Sequence, residues 1–201
     1  MKQRYLICGD KLMVLNAKVG SSTFARAIVK KYYGDLDNDL LSASYPEGQS
    51  ADTVQIQMRV PYRTNPDRPV VLLVRDPIER FRSAMAQVGL DDVDAALTEL
   101  AEETGSYGMS SGLRKVKLVE NVHFVPQNVS SAVITAGQSL HTFAFPAEID
   151  AAAEFLGLDL PLISINEAHG VKPDLTEAQT AAVREFYAED QALWESLYQA
   201  E

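Results

Sequence analysis

Six consecutive apolar residues, PVVLLV from Pro69 to Val74, are closed abruptly by Arg75, Asp76 and Pro77. The run is too short for a helix, has no polar face and carries three valines, so it predicts a strand buried on both sides. Such a strand belongs inside a largely parallel sheet with helices over both faces. The rest of the chain supplies its partners. KLMVLNA (Lys11 to Ala17) is a second apolar run of strand length, and FARAIVKKYY (Phe24 to Tyr33) follows with apolar residues at helical spacing. The N-terminal stretch MKQRYLICGDKLMVLNA reads as a hairpin turning on Gly9 and Asp10. TVQIQMRV (Thr53 to Val60) alternates like a strand, and LDDVDAALTELAEET (Leu90 to Thr104) has helical spacing with acids in its first turn. LRKVKLVENVHFVPQN and SAVITAG offer further strand-like pieces before the final helices. The expectation is an α/β, three-layer fold with a central mostly parallel sheet flanked by helices, forming one domain over residues 1–201.

Both apolar runs end in groups suited to an anion. After the first comes KVGSST, Lys18 to Thr23. A strand, a tight turn and a helix start aim the N–H groups of the helix's first residues, and the positive end of its dipole, beyond the strand's end. Gly20 permits close backbone approach, Ser21, Ser22 and Thr23 offer hydroxyls, and Lys18 adds a mobile charge beside Val19. A serine that merely caps the helix is the plainer reading, and the lysine at that offset favours the anion site. After the second run, Asp76 and Pro77 read as N-cap and first helical residue. Arg75 offers the planar fork that phosphate favours, and Ser83, eight residues on and two helical turns along, could converge with it on one oxyanion. The plainer alternative pairs Asp76 with Arg80 at i, i+4 and leaves Arg82 facing water.

A net charge of −10 looks unfit for holding a polyanion until it is divided along the chain. Residues 1–34 carry seven basic and one acidic side chain, and residues 59–82 six arginines and three acids, whereas residues 148–201 carry two basic and twelve acidic. Positive charge therefore gathers around the two proposed sites, and the C-terminal third reads as a solvated acidic surface. A broad basic face is missing, which argues against nucleic acid as partner. The N-terminal apolar runs are short and broken by Gly9, Asp10 and Lys11, so neither a signal peptide nor a membrane span is expected. The single cysteine, Cys8, reads as a core thiol and a reducing cytoplasm as its home. No His/Cys cluster has metal-ligand spacing.

Taken together, the two segments resemble the cofactor motifs of sulfotransferases that use 3′-phosphoadenosine 5′-phosphosulfate (PAPS). KVGSST is similar to the 5′-phosphosulfate loop, in the K-V-G-C-T-N-W form of the carbohydrate-type branch, with Ser21 and Ser22 at the Cys-Thr positions and Phe24 at the Trp position. RDPIERFRS matches the 3′-phosphate motif R-D-P-x-x-R-x-x-S at every fixed position, and HFVPQ (His123 to Gln127) resembles the downstream H-x-x-P-Q element. Residues from His141 to Leu197 look like the family's closing elements, which end on a Y-x-x-D helix represented by Tyr187 and Asp190. The matches run in order over about residues 11–197. Ala17 stands where many members have proline, Thr23 replaces asparagine, and 201 residues is short for the branch.

The resemblance implies a P-loop-like version of the α/β fold, and transfer of a sulfuryl group from PAPS to an acceptor hydroxyl, with a carbohydrate or small molecule as acceptor and release of 3′-phosphoadenosine 5′-phosphate (PAP). Lys18 would stabilise the leaving phosphate, with Val19, Gly20, Ser21, Ser22 and Thr23 completing the loop, while Arg75 and Ser83 anchor the 3′-phosphate. His123 is the first choice of general base, because imidazole titrates near neutrality. Asp35, Asp37 and Asp39 are carboxylate alternatives, and His141 and His169 have weaker claims. His169 and Lys172 sit in the segment NEAHGVK, a loop that could instead fold over the nucleotide, and Gln127 could contact substrate or brace the loop. Two other classes stay open. A P-loop kinase-like phosphotransferase shares the strand-loop-helix, but its G-x-x-x-x-G-K-[ST] string is missing here. A non-catalytic PAP-binding protein would keep the fold without turnover.

Overall fold

A computed structural model describes residues 5–33, 68–103, 107–108, 115–121, 123–128, 138–162 and 170–198. Its strands are β1 (Tyr5–Cys8), β2 (Lys11–Val14), β3 (Val70–Arg75), β4 (Tyr107–Gly108), β5 (Lys115–Val116) and β6 (Leu140–Phe145). Its helices are α1 (Ser21–Tyr33), α2 (Pro77–Val88), α3 (Val93–Ala101), α4 (Ile149–Phe155), α5 (Glu177–Phe186) and α6 (Ala188–Ser196).

The main sheet has the order β1-β2-β3-β6. β1 and β2 form the antiparallel hairpin around Gly9, whose φ of 63° suits glycine, and Asp10. β2, β3 and β6 are parallel, with β3 in the middle of the three. The chain is thus α/β. β6 is an element the sequence reading did not assign to the sheet, because LHTFAF mixes polar and apolar residues without a clean period. Only its six-residue register with β3, from Val70↔Leu140 to Arg75↔Phe145, defines it.

Alternation along the apolar runs divides the interior in two. Met13, Val71 and Leu73 point to one face, where they pack with Val19, Phe24 and Ile28 at α1 and with Ala152, Ala153 and Leu156 at α4. Leu12, Val14, Val70, Leu72 and Val74 point to the other, against Leu193 and Trp194 of α6. Since all five β3 positions from Val70 to Val74 are buried, the strand shows no polar face. Burying each such side chain contributes about 1.5–3 kcal/mol, which is why so short a run organises three layers. A third cluster joins Phe81 and Met85 of α2, Ala96 and Leu100 of α3, Phe124, Val183 and Tyr187.

The N-cap reading of Asp76 holds, since its carboxylate accepts the N–H of Glu79 at 2.9 Å with Pro77 as first helical residue. Two expectations need correction. Leu118–Glu120, expected as strand-like, is a 3₁₀ turn, and residues 123–128 are likewise not a strand. The acidic C-terminal third is not uniformly solvated, since Asp190 is fully buried. Asp35, Asp37, Asp39, the TVQIQMRV run, SAVITAG and His169 lie outside the described residues. Among those described, no helix is long and apolar enough to cross a membrane.

Candidate functional site

Because β2 and β3 run parallel, the loop after β2 and the arginine ending β3 emerge at the same edge of the sheet. The loop, residues 17–20, turns sharply, with Lys18 at φ 67° and Gly20 at φ 73°. A non-glycine residue held there costs about 1–2 kcal/mol. Arg75 offsets part of this, donating from Nη1 to the Lys18 carbonyl at 2.9 Å. The two phosphate-type segments are therefore in direct contact.

Gly20 lies against Phe145 at the end of β6. A Cβ at position 20 would sit 2.7 Å from the Phe145 ring, so only glycine fits both the space and the backbone angle. The same ring lies beneath the Arg75 guanidinium, 5.5 Å from its centroid. From Gly20 the chain enters α1, whose first bond runs from the Phe24 N–H to the Gly20 carbonyl at 3.1 Å. The N–H groups of Ser21, Ser22 and Thr23 precede that ladder, at the positive end of the helix dipole. Lys18 reaches Gln87 on α2, Nζ to Oε1 3.2 Å.

The HFVPQ element contributes through Gln127. Its side-chain amide accepts the Arg75 N–H and donates to the Arg75 carbonyl, both at 2.9 Å, as a neighbouring strand's peptide would. Gln127 therefore braces the strand end that carries Arg75. Its own backbone N–H donates to Asp190 at 2.7 Å, and that of Asn128 to the other oxygen at 2.8 Å. His123, half-buried at the start of this turn, donates its backbone N–H to the Asn121 side chain.

Beneath the edge lies a buried ionic brace that the sequence reading assigned differently. Arg80 does not pair with Asp76. It is buried, with Asp190 at 4.0 Å, Ala17 O at 3.3 Å, the Val125 carbonyl as a further acceptor, and the Tyr187 ring 5.8 Å below its guanidinium. The Tyr187 hydroxyl donates to Phe124 O at 2.6 Å. Burial pushes the Asp190 carboxyl up and the Arg80 guanidinium down, each against the other's attraction. Tyr187 and Asp190 thus fix the loop after β2 and the Gln127 turn to α6.

Arg82 is likewise not a solvated charge. Its Nε donates to Pro173 O at 2.7 Å, and its other nitrogens meet Glu79 at 2.7 Å and Asp174 at 2.9 Å. These bonds strap the segment at 170–174 along α2, where Gly170 lies so close that a Cβ would stand 2.5 Å from Ala86 O. Lys172 in this strap pairs with Glu79 at 3.1 Å. Glu79, Ser83 and Gln87 form an i, i+4, i+8 stripe on α2 facing this edge, with Ser83 buried between the two contacted residues. That spacing is the signal by which Glu79 and Gln87 were open to detection in the sequence. Phe145 carried none, since its place depends on β6 pairing.

Lys18, Arg75 and Lys172 share one field. Burial lowers the affinity of the Lys18 ammonium for its proton, and the positive charges of Arg75 and Lys172 lower it further. Burial does the same to Arg75, partly opposed by Glu79 and Asp76. Convergent cations at a strand-loop-helix edge can attract an anion with more than one charged group. His141 lies four residues before Phe145 on β6, stacked on Phe155 at 4.3 Å, which places it about 13 Å back from this edge. No group of three or more His, Cys, Asp or Glu among the described residues could hold a metal ion. No family model matches the chain, and no curated protein or solved structure matches it either.

Proposed function

We propose that the protein is a PAPS-dependent sulfotransferase with a P-loop-like phosphate site, acting on an acceptor hydroxyl of a carbohydrate or small molecule. One observation carries the reading. Four segments that resemble the family's motifs, spread from Lys18 to Asp190, are joined by hydrogen bonds and ion contacts at one sheet edge. Chance matches scattered along a chain have no reason to meet.

The residues fit the nucleotide's two charged ends. The glycine at position 20, the start of α1 and Lys18 form a cradle for one phosphate, and Arg75, Ser83 and Lys172 lie toward a second. Burial is the main reason that the Lys18 ammonium holds its proton less tightly, and an anion there relieves the repulsion by Arg75 and Lys172 that adds to it. Bound PAPS supplies the activated sulfuryl group and its phosphate leaving group. Lys18 and the α1 N-terminus stabilise negative charge on the leaving side, Arg75 and Ser83 fix the nucleotide, and Gln127 holds Arg75 in place. His123 is retained as the base that takes the acceptor proton.

Calorimetric titration with PAP, AMP and ADP tests the reading. Binding that requires the 3′-phosphate and is lost in Arg75→Ala is expected. Lys18→Ala is expected to bind PAP more weakly while still requiring its 3′-phosphate, and to lose about 100-fold in turnover of PAPS with a competent acceptor, about 3 kcal/mol of barrier. Equal or tighter binding of ADP would transfer the site to a phosphotransferase.

A further inference from the structure

Three cations surround a single carboxylate at the proposed site. Glu79 is 2.7 Å from Arg82, 3.1 Å from Lys172 and 3.7 Å from Arg75. We propose that Glu79 is a resident counter-anion that occupies Lys172 and Arg75 until an incoming phosphate displaces it, so that it sets the site's anion affinity by competition. The inference rests on reading this edge as an anion site.

Geometry separates competition from positioning. Arg75 is held independently by Lys18 O and Phe145, and Arg82 by Pro173 O and Asp174. Neither needs Glu79 to stay in place. Lys172 differs, because among the described residues Glu79 is its hydrogen-bonding partner, at the end of a strap pinned by Arg82. The strap fixes the backbone, and a flexible four-carbon stem lets the ammonium move from the carboxylate to a phosphate. The charged groups around Glu79 are Arg75 at the end of β3, Asp76 at the N-cap of α2, Arg82 on α2, and Lys172 and Asp174 on the strap, with Lys18 in the field of Arg75 and Lys172. Asp76 and Asp174 are engaged elsewhere, by the Glu79 N–H and by Arg82. Partial burial pushes the Glu79 carboxyl up, but hydrogen bonds from Lys172 and Arg82 outweigh it and hold the group ionised.

Releasing partly exposed ion pairs of this kind favours a competing anion by about tenfold. The test is calorimetry of inorganic pyrophosphate and of PAP against wild type, Glu79→Gln, Lys172→Gln and the double variant. Glu79→Gln should bind both anions about tenfold tighter, Lys172→Gln should bind them more weakly, and the gain should shrink below about threefold in the double variant. Equal or weaker binding by Glu79→Gln at unchanged melting temperature, or an undiminished gain in the double variant, overturns the exchange. Should Glu79→Gln fail to fold, Glu79→Asp, whose shorter reach abandons Lys172, must show the same sign. The two readings fail separately. Pyrophosphate following the expected pattern while PAP binds no better than ADP removes the nucleotide and keeps the exchange. PAP binding that depends on Arg75 but gains nothing from Glu79→Gln does the reverse. No binding of either anion to any protein removes both.

Discussion

Replacing Asp190 by alanine strikes the point on which the whole edge rests. The carboxylate is fully buried, accepts the N–H groups of Gln127 and Asn128 at 2.7 and 2.8 Å, and faces Arg80 at 4.0 Å. In Asp190→Ala two backbone donors lose their acceptor and a buried guanidinium loses its counter-charge. Breaking one side of a buried ion pair costs about 3–5 kcal/mol, and each stranded N–H about 1 kcal/mol or more, with overlap between these effects. A loss of about 4 kcal/mol follows, a large share of the roughly 5–15 kcal/mol that stabilises a domain. At this chain length that is a fall of roughly 8–16 °C in melting temperature, readable by calorimetry beside urea titration. The double variant Arg80→Met/Asp190→Asn removes both charges and keeps an acceptor, so it should be more stable than the sum of its single variants by at least about 1.5 kcal/mol. Because Gln127 loses its anchor, Asp190→Ala should also weaken PAP binding at temperatures where the protein remains folded. A loss under about 1 kcal/mol, or strict additivity of the two single variants, would refute the brace.

The loop after β2 and its lysine give two further expectations. Gly20→Ala forces a side chain into φ 73° and against the Phe145 ring, so a loss of about 2–4 kcal/mol is expected, partly restored by Phe145→Leu; unchanged stability by urea titration would contradict the close packing. Only the protonated Lys18 ammonium attracts an anion, and its proton affinity is depressed by burial and by Arg75 and Lys172, so PAP affinity should be full near neutrality and decline as pH rises, beginning below the ordinary lysine value of 10.5. The unfolded chain holds that proton more tightly, so across this window the empty protein gains stability with rising pH, the opposite sign. Lys172→Gln should move the decline in affinity to higher pH, and calorimetric titrations from pH 7 upward would expose a profile that fails to move.

Much of this architecture was legible in the chain because its determinants are local. The β1–β2 hairpin follows from a two-residue turn, the burial of β3 from an unbroken apolar run, and the start of α2 from an aspartate followed by proline. Lys18, Gly20 and Arg75 stood out for the same reason, since strand ends and helix starts are places where short-range rules and anion chemistry coincide. Arg82 was misread as facing water because an arginine on a helix looks solvated until the element covering it is known, and the only partner open to Arg80 in the local sequence was Asp76. Neither α6 nor the strap at 170–174 is close to them in sequence.

By itself the sequence determined the α/β class, the two strand-loop-helix transitions and the cationic character of their ends, all consequences of periodicity and charge within a dozen residues. Tertiary structure alone decided that β6 pairs beside β3, that Phe145 closes over Gly20, that Gln127 grips Arg75 and that Asp190 carries the load of Arg80. These contacts join residues about 50 to 125 positions apart. Long-range contacts of that kind are selected by packing, and by the need to satisfy every buried charge and backbone group at once, which no local pattern encodes.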